Sequence, residues 1–226
     1  MRRERCRLRE IADPGGRSVN RIDRVLQDWR IRRAAHWIPQ GARVLDVGCF
    51  DARLFRRLGN RLDSGVGVDP LLPVSECDSM FTLLREPFPS ARVPGPQFDV
   101  ITMLAVLEHL EASELVEWSR AARDLLRPGG LVVATVPSPA VDGILRVLIR
   151  LRIVDGMEVD QHHGAEPAAI VDAFASAGFA VIESKRFQFG LNNLFVLRKP
   201  HRARSGLAAT TCQPSTESDR RRRRSS

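Results

Sequence analysis

The stretch Arg43-Val-Leu-Asp46-Val-Gly48-Cys49-Phe50-Asp51-Ala52 most restricts how this chain can fold. Val44, Leu45 and Val47 form a short β-prone apolar run, the pattern of a buried strand. Asp46 interrupts that run near its end, and Gly48 allows a backbone turn that a Cβ would obstruct. Asp51 stands where its carboxylate can accept free N–H groups from the first turn of a following helix. A strand, a glycine turn and a helix start gather backbone donors around one spot. That arrangement suits a nucleoside-like or carboxylate-bearing ligand.

The rest of the chain alternates strands and helices around this unit. A helix is expected from Ser18, with Ile22, Val25, Leu26 and Trp29 at helical spacing. Ala34, Ala35, Trp37 and Ile38 continue its apolar face until Pro39-Gln-Gly41 stops it. Residues 51–58 form a second helix with Leu54, Phe55 and Leu58 inward. Gly65-Val-Gly-Val-Asp69 is a second strand ending in an acid, 23 residues after Asp46. One strand–helix–strand crossover has that length, so both acids fall at the carboxyl ends of neighbouring parallel strands. Residues 81–84 make a short strand, 98–103 a clear one, and 113–126 an amphipathic helix ending at Pro128-Gly129-Gly130. Residues 131–136 form a further strand, and 141–155 an apolar helix. A polar loop with His162 and His163 follows, then a helix over 168–177 that Gly178 closes. Residues 179–184 and 194–197 are strands joined through a Gly-Leu-Asn-Asn turn, hence antiparallel. The pattern predicts an α/β, doubly wound, mostly parallel sheet.

Charge is distributed unevenly along the chain. The 226 residues carry a net charge of +8. Five arginines against two glutamates give residues 1–10 a charge of +3, seven arginines against two acids give 200–226 a charge of +5, and the stretch between is neutral. The expected organisation is a loose leader over 1–17, one folded domain over 18–199 and an Arg/Ser-rich disordered tail over 200–226. A neutral domain implies no basic face to continue the tails, which argues against nucleic acid as a partner. Cys6, Cys49, Cys77 and Cys212 form no CxxC pair, the pattern of a reducing, cytoplasmic setting rather than a disulfide scaffold or zinc site. Residues 141–154, the most apolar helical stretch, contain three arginines and do not form a membrane span.

Taken in order, Val44-Leu-Asp-Val-Gly-Cys49, Gly65-Val-Gly-Val-Asp69, Phe98-Asp99-Val-Ile, Leu107-Glu108-His109, Leu126-Arg-Pro-Gly-Gly130 and Ala177-Gly-Phe179 resemble the class I S-adenosylmethionine-dependent methyltransferases over roughly residues 40–197. Within that family the chain looks most like small-molecule and biosynthetic members, including the quinone O-methyltransferase type. The resemblance implies a seven-stranded, Rossmann-like sheet with a reversed last strand. It implies S-adenosylmethionine as cofactor, with Asp46, Gly48 and Cys49 at its methionine end, Asp69 accepting from the ribose hydroxyls and Leu104 packing beside it. The chain departs from the family at Phe50 and Ala52, where glycine is usual. If Phe50 needs a positive φ, its Cβ costs about 1 kcal/mol or more. Glu86 is the nearest candidate for an acid beside the adenine. Ala105 replaces the first acid of a metal-binding Glu-x-x-Glu-His run, so no metal is assigned.

The expected function is methyl transfer to a small or carrier-linked metabolite, with oxygen slightly favoured as acceptor. His109 is a candidate general base, because imidazole titrates near neutrality, and His163 is a candidate on the acceptor side. Two other readings stay open: an RNA methyltransferase holding its substrate with the basic tails, and a methyltransferase-like scaffold without catalysis. A nicotinamide oxidoreductase is disfavoured, because residues 48–52 lack the G-x-G-x-x-G turn.

Overall fold

The computed structural model describes residues 21–77, 80–95, 97–138 and 165–201. The leader over 1–17, the helix over 141–155, His162, His163 and the tail beyond 201 lie outside the described residues.

Alternating β-prone and amphipathic segments produce one mixed sheet with helices on both faces. The strands are β1 (Ala42–Val47), β2 (Leu62–Val68), β3 (Glu76–Cys77), β4 (Phe81–Leu84), β5 (Phe98–Leu104), β6 (Leu126–Pro137), β7 (Ala180–Phe187) and β8 (Asn192–Arg198). Their spatial order is β3-β4-β2-β1-β5-β6-β8-β7. Strands β4, β2, β1, β5 and β6 are parallel, and β8 inserts in reverse between β6 and β7. Seven of these strands are the predicted set. The eighth, β3, is a two-residue antiparallel edge strand from the Pro-rich stretch.

The helices are α1 (Arg21–Ala35), α2 (Arg53–Leu58), α3 (Ala112–Leu125) and α4 (Pro167–Ser176). Side chains alternate across the pleat, so β1 sends Val44 toward α1 and α2 and Leu45 and Val47 toward α3. Ile31, Ala34, Ile38, Leu54, Phe55 and Leu58 build one core layer; Leu115, Ala122, Ile170 and Phe174 build the other.

Two local expectations need correction. The buried face of α1 is Ile31, Ala34 and Ala35, continued by Ile38, whereas Val25 is 63% exposed. The second half of that apolar pattern covers the sheet, whereas in the first half Trp29 is only partly buried against the same core and Val25 lies in solvent. Likewise, Pro128-Gly129-Gly130 does not separate α3 from its strand. Strand β6 begins at Leu126, opposite Phe98; the Gly129 N–H donates to the Lys199 carbonyl and the Lys199 N–H to the Gly130 carbonyl, each at 2.9 Å. The chain beyond β8 supplies the pairing that lets this stretch extend.

Helix α4 ends as expected. Gly178, at φ 84°, donates to the Ala175 carbonyl, and Phe179 donates to that of Phe174. The two phenylalanine rings pack edge to face, completing a Schellman cap with its hydrophobic contact. Arg123 of α3 donates to the Ala177 and Gly178 carbonyls at 2.6 and 2.7 Å, satisfying acceptors that a helix end leaves open.

Candidate functional site

The carboxyl ends of β1, β2 and β5 meet the start of α2 around a cleft of about 780 Å³. Open α/β sheets place ligands at this edge, where successive crossovers leave toward opposite faces. Asp46, Gly48, Cys49, Asp69 and Leu104, the predicted cofactor residues, all line the cleft. His109 stands at its rim, exposed to solvent, and Phe88 and Trp118 form an edge-to-face aromatic wall.

The turn after β1 has a constrained backbone. Gly48, Phe50 and Ala52 have φ values of 75°, 37° and 55°. A Cβ on Gly48 would lie 2.5 Å from the Val106 side chain, so glycine is required there both for conformation and for space. Phe50 takes the left-handed conformation despite its side chain, and its N–H donates to Asp69 Oδ2 at 3.0 Å. Asp69 Oδ1 accepts from the Leu71 N–H at 2.8 Å. The carboxylate of Asp69 therefore ties the turn after β1 to the turn after β2. A carboxylate has about four acceptor positions, and these bonds use two of them. Asp51 accepts from the Arg53 N–H at 3.2 Å, so it does serve a free donor of the first turn of α2.

Asp46 is buried, and Thr102 on the adjacent strand donates to its Oδ1 at 2.6 Å. Burial pushes the Asp46 carboxyl up to about 7; the Thr102 hydrogen bond opposes that rise, and the charges of Asp51 and Asp69 add to it. The Cys49 thiol occupies space that Gly67 leaves open, 2.7 Å from where a Cβ would stand. Burial raises its pKa, so Cys49 offers the cleft its backbone rather than a nucleophile. Glu108, next to His109, is pushed up to about 7 by burial, against the pull of its own backbone N–H and of Arg30. Its Oε2 is buried and has no hydrogen-bond partner among the described residues.

Glu86 pairs with Arg92 at 2.8 Å and does not line the cleft; Pro87 and Phe88 do. Asp99, part of a recognisable sequence motif, lies away from the cleft. It accepts the Arg43 N–H at 2.6 Å and pairs with Arg127, fastening the starts of β1 and β6 to β5. Sequence reasoning missed Thr102 and Val106. Thr102 left a usable signal: it is a polar residue inside an apolar strand, in register with Asp46. Val106 left none, since its contact with Gly48 arises only from the fold.

Among the described residues, no three His, Cys, Asp or Glu side chains converge as metal ligands, and no helix is long and apolar enough to cross a membrane. The solved structures that the chain resembles share its fold at low identity. They include an S-adenosylmethionine-dependent methyltransferase from Mesorhizobium loti, at 16% identity and a TM-score of 0.55, over 74% of this chain and 96% of that one. The N-methyltransferase NodS from Bradyrhizobium japonicum aligns at 14% identity and a TM-score of 0.56, over 80% and 98%. A protein of Haloferax volcanii solved with the Trm112 methyltransferase activator aligns at 16% and 0.58, over 80% and 94%. No curated protein matches the chain. A family model described as a methyltransferase domain matches residues 19–184, which span most of the chain. With this sheet order and the motifs at its carboxyl edge, the chain belongs to the S-adenosylmethionine-dependent methyltransferase family.

Proposed function

We propose that this methyltransferase modifies a small or carrier-linked metabolite, most readily at an oxygen, and works in the cytoplasm. The observation that carries the reading is one cleft that joins two strand-end carboxylates, Asp46 and Asp69, through the Gly48 turn. The residues fit the cofactor. Asp69 keeps acceptor positions for two ribose hydroxyls after binding both turns. The Gly48 turn brings its backbone to the cleft, and Leu104, Phe88 and Trp118 give the cleft apolar walls. A site rimmed by carboxylates also suits a sulfonium cation and its ammonium group.

When bound, S-adenosylmethionine supplies a methyl group on a positively charged sulfur for in-line displacement by a nucleophile. In this reading the chain's own residues position the reactants and exclude water, which provides most of the catalysis. Asp46 and the backbone of Gly48 and Cys49 hold the methionine end, Asp69 the ribose, and Leu104 packs alongside. His109, at the cleft rim, accepts a proton where the acceptor carries one. Phe50 no longer favours a scaffold without catalysis, because its left-handed backbone is held by the same carboxylate that is assigned to the ribose.

The test is calorimetric titration with S-adenosylmethionine and S-adenosylhomocysteine, in wild type and in Asp69→Asn, followed by an acceptor screen. Micromolar binding of both compounds that weakens in the variant supports the cofactor site. Absence of binding in folded wild-type protein would overturn the reading.

A further inference from the structure

The charges of the domain cancel in sum but not in space. A second cleft, of about 880 Å³, opens between α1 and the segment from α2 to Arg61, on the far side of Arg53 from the cofactor cleft. Helix α1 contributes Asp28 and Arg32, four residues apart and therefore on one face, and His36 follows in the turn after it. The facing segment contributes Arg53, Arg56, Arg57 and Arg61. Five arginines thus meet across one groove against a single acid. This corrects the expectation that a neutral domain presents no basic face.

The five do not play one role. Arg53 is held by Asp28 at 3.0 Å and by Gln27 at 3.0 Å. Arg61 donates to the carbonyls of Ala35 and Ile38, closing the end of α1. These two are structural anchors that fix the walls of the groove. Arg32, Arg56 and Arg57 form no ion pair among the described residues, although Asp51 feels the charge of Arg56, and all three line the same groove. Clustered like charges repel and destabilise the compact state, and a multivalent anion relieves that repulsion. Guanidinium groups also match phosphate oxygens with paired donors, which ammonium groups do not.

We propose that this groove is a binding site for a ligand bearing several phosphate groups, separate from the cofactor cleft and sharing only Arg53 with it. Arg32, Arg56 and Arg57 contact the phosphates, and Arg53 and Arg61 hold the two walls at a fixed separation. The phosphates come either from a small oligophosphate compound or from the backbone of a single-stranded nucleic acid; both present the same chemistry to the groove.

The experiment titrates the full chain with tripolyphosphate and, separately, with a labelled single-stranded RNA oligonucleotide, at low and raised salt. It compares wild type, an Arg56→Gln/Arg57→Gln pair, Arg32→Gln, and a variant in which the five arginines of 220–224 are glutamine. All are also titrated with S-adenosylmethionine, so failure of the cofactor reading registers separately. The groove variants are expected to weaken phosphate binding by about tenfold or more and to flatten its salt dependence, with the tail variant close to wild type. Tripolyphosphate binding that follows this pattern identifies a small ligand. RNA binding that follows it, without tripolyphosphate binding, identifies a nucleic-acid backbone. Loss confined to the tail variant, or binding of neither probe by wild type, overturns the proposal.

Discussion

Two turns in this protein both require left-handed backbone, and the chain meets the requirement differently in each. At the end of α4 the demand falls on one residue, and that residue is Gly178. In the turn after β1 it falls on three residues in five, and two of them are Phe50 and Ala52. The first turn only has to stop a helix, so the conformation is met without strain. The second holds strain, and surrounding bonds fix it: Phe50 N–H on Asp69, the Ala52 N–H on the Cys49 carbonyl, and Leu54 and Phe55 packed beneath. Strained backbone persists where the rest of the structure over-determines it, and such places cluster at ligand sites. The contrast is therefore between a turn whose conformation is intrinsic and a turn whose conformation depends on the bonds around it, the Asp69 carboxylate among them.

The most severe way to break that contrast is Asp69→Ala. Two backbone N–H groups lose their acceptor, and the proposed ribose contact goes with them. Both bonds are part-buried and Leu71 is 69% exposed, so water recovers part of the loss, and urea denaturation should register about 1–3 kcal/mol in total. Cofactor affinity should fall by about 100-fold or more, since the turn and the ribose contact fail together. Asp69→Asn keeps one oxygen acceptor and should fall between the variant and wild type in both measurements.

Asp46 tests the same turn through pH. Its folded pKa of about 7 lies above the ordinary 3.8, so between those values the folded state binds more protons than the unfolded one. Stability from this group is therefore undiminished below the lower value and falls as pH rises toward and past 7. The full shift corresponds to roughly 4 kcal/mol. Asp46→Asn removes the titration, so its stability relative to wild type should improve from pH 5 to pH 8 in denaturant titrations. Its affinity for S-adenosylmethionine should drop, because the carboxylate assigned to the ammonium is gone. Stability and binding moving in opposite directions would mark Asp46 as kept for function.

Gly178→Ala probes the turn that carries no strain. A Cβ at φ 84° is disfavoured, and it would also press into the Arg123 guanidinium that caps α4. The expected cost is about 1–2 kcal/mol, with cofactor binding unchanged in the same preparation.

These two turns also separate what was legible in the sequence from what was not. Gly178 follows an amphipathic run, so its role could be read locally. Asp46, Gly48 and Asp69 were legible because strand ends announce themselves through apolar runs closed by an acid or a glycine. The grip of Asp69 on Phe50 could not be read, since it joins turns 19 residues apart through a crossover whose geometry exists only when folded. The same holds for Thr102 and Asp46, which are 56 residues apart. The apolar pattern of α1 was visible, but which half of it meets the sheet depends on how the folded helix lies on the strands. The arginine groove escaped notice for a related reason: summing charge along a chain discards the segregation that two facing helices create.

Phe50→Gly is the mirror of Gly178→Ala and should give the smallest effect, yet it sharpens the comparison most. It relieves a left-handed Cβ worth about 1 kcal/mol, and the added freedom of the unfolded chain takes back a large part of that gain. A net stabilisation of less than about 1 kcal/mol is expected. Phe50 is 37% exposed and lines the cofactor cleft, so loss of its ring removes contact surface and loosens the turn that Asp69 grips. Affinity for S-adenosylmethionine should fall several-fold while stability rises slightly. If both stability and affinity rise, the ring is an obstacle that the turn tolerates, and the strain has no function. If stability falls, the Phe50–Asp69 bond holds a conformation that glycine abandons. In that case the strained turn depends on its side chain as well as on the carboxylate that grips it.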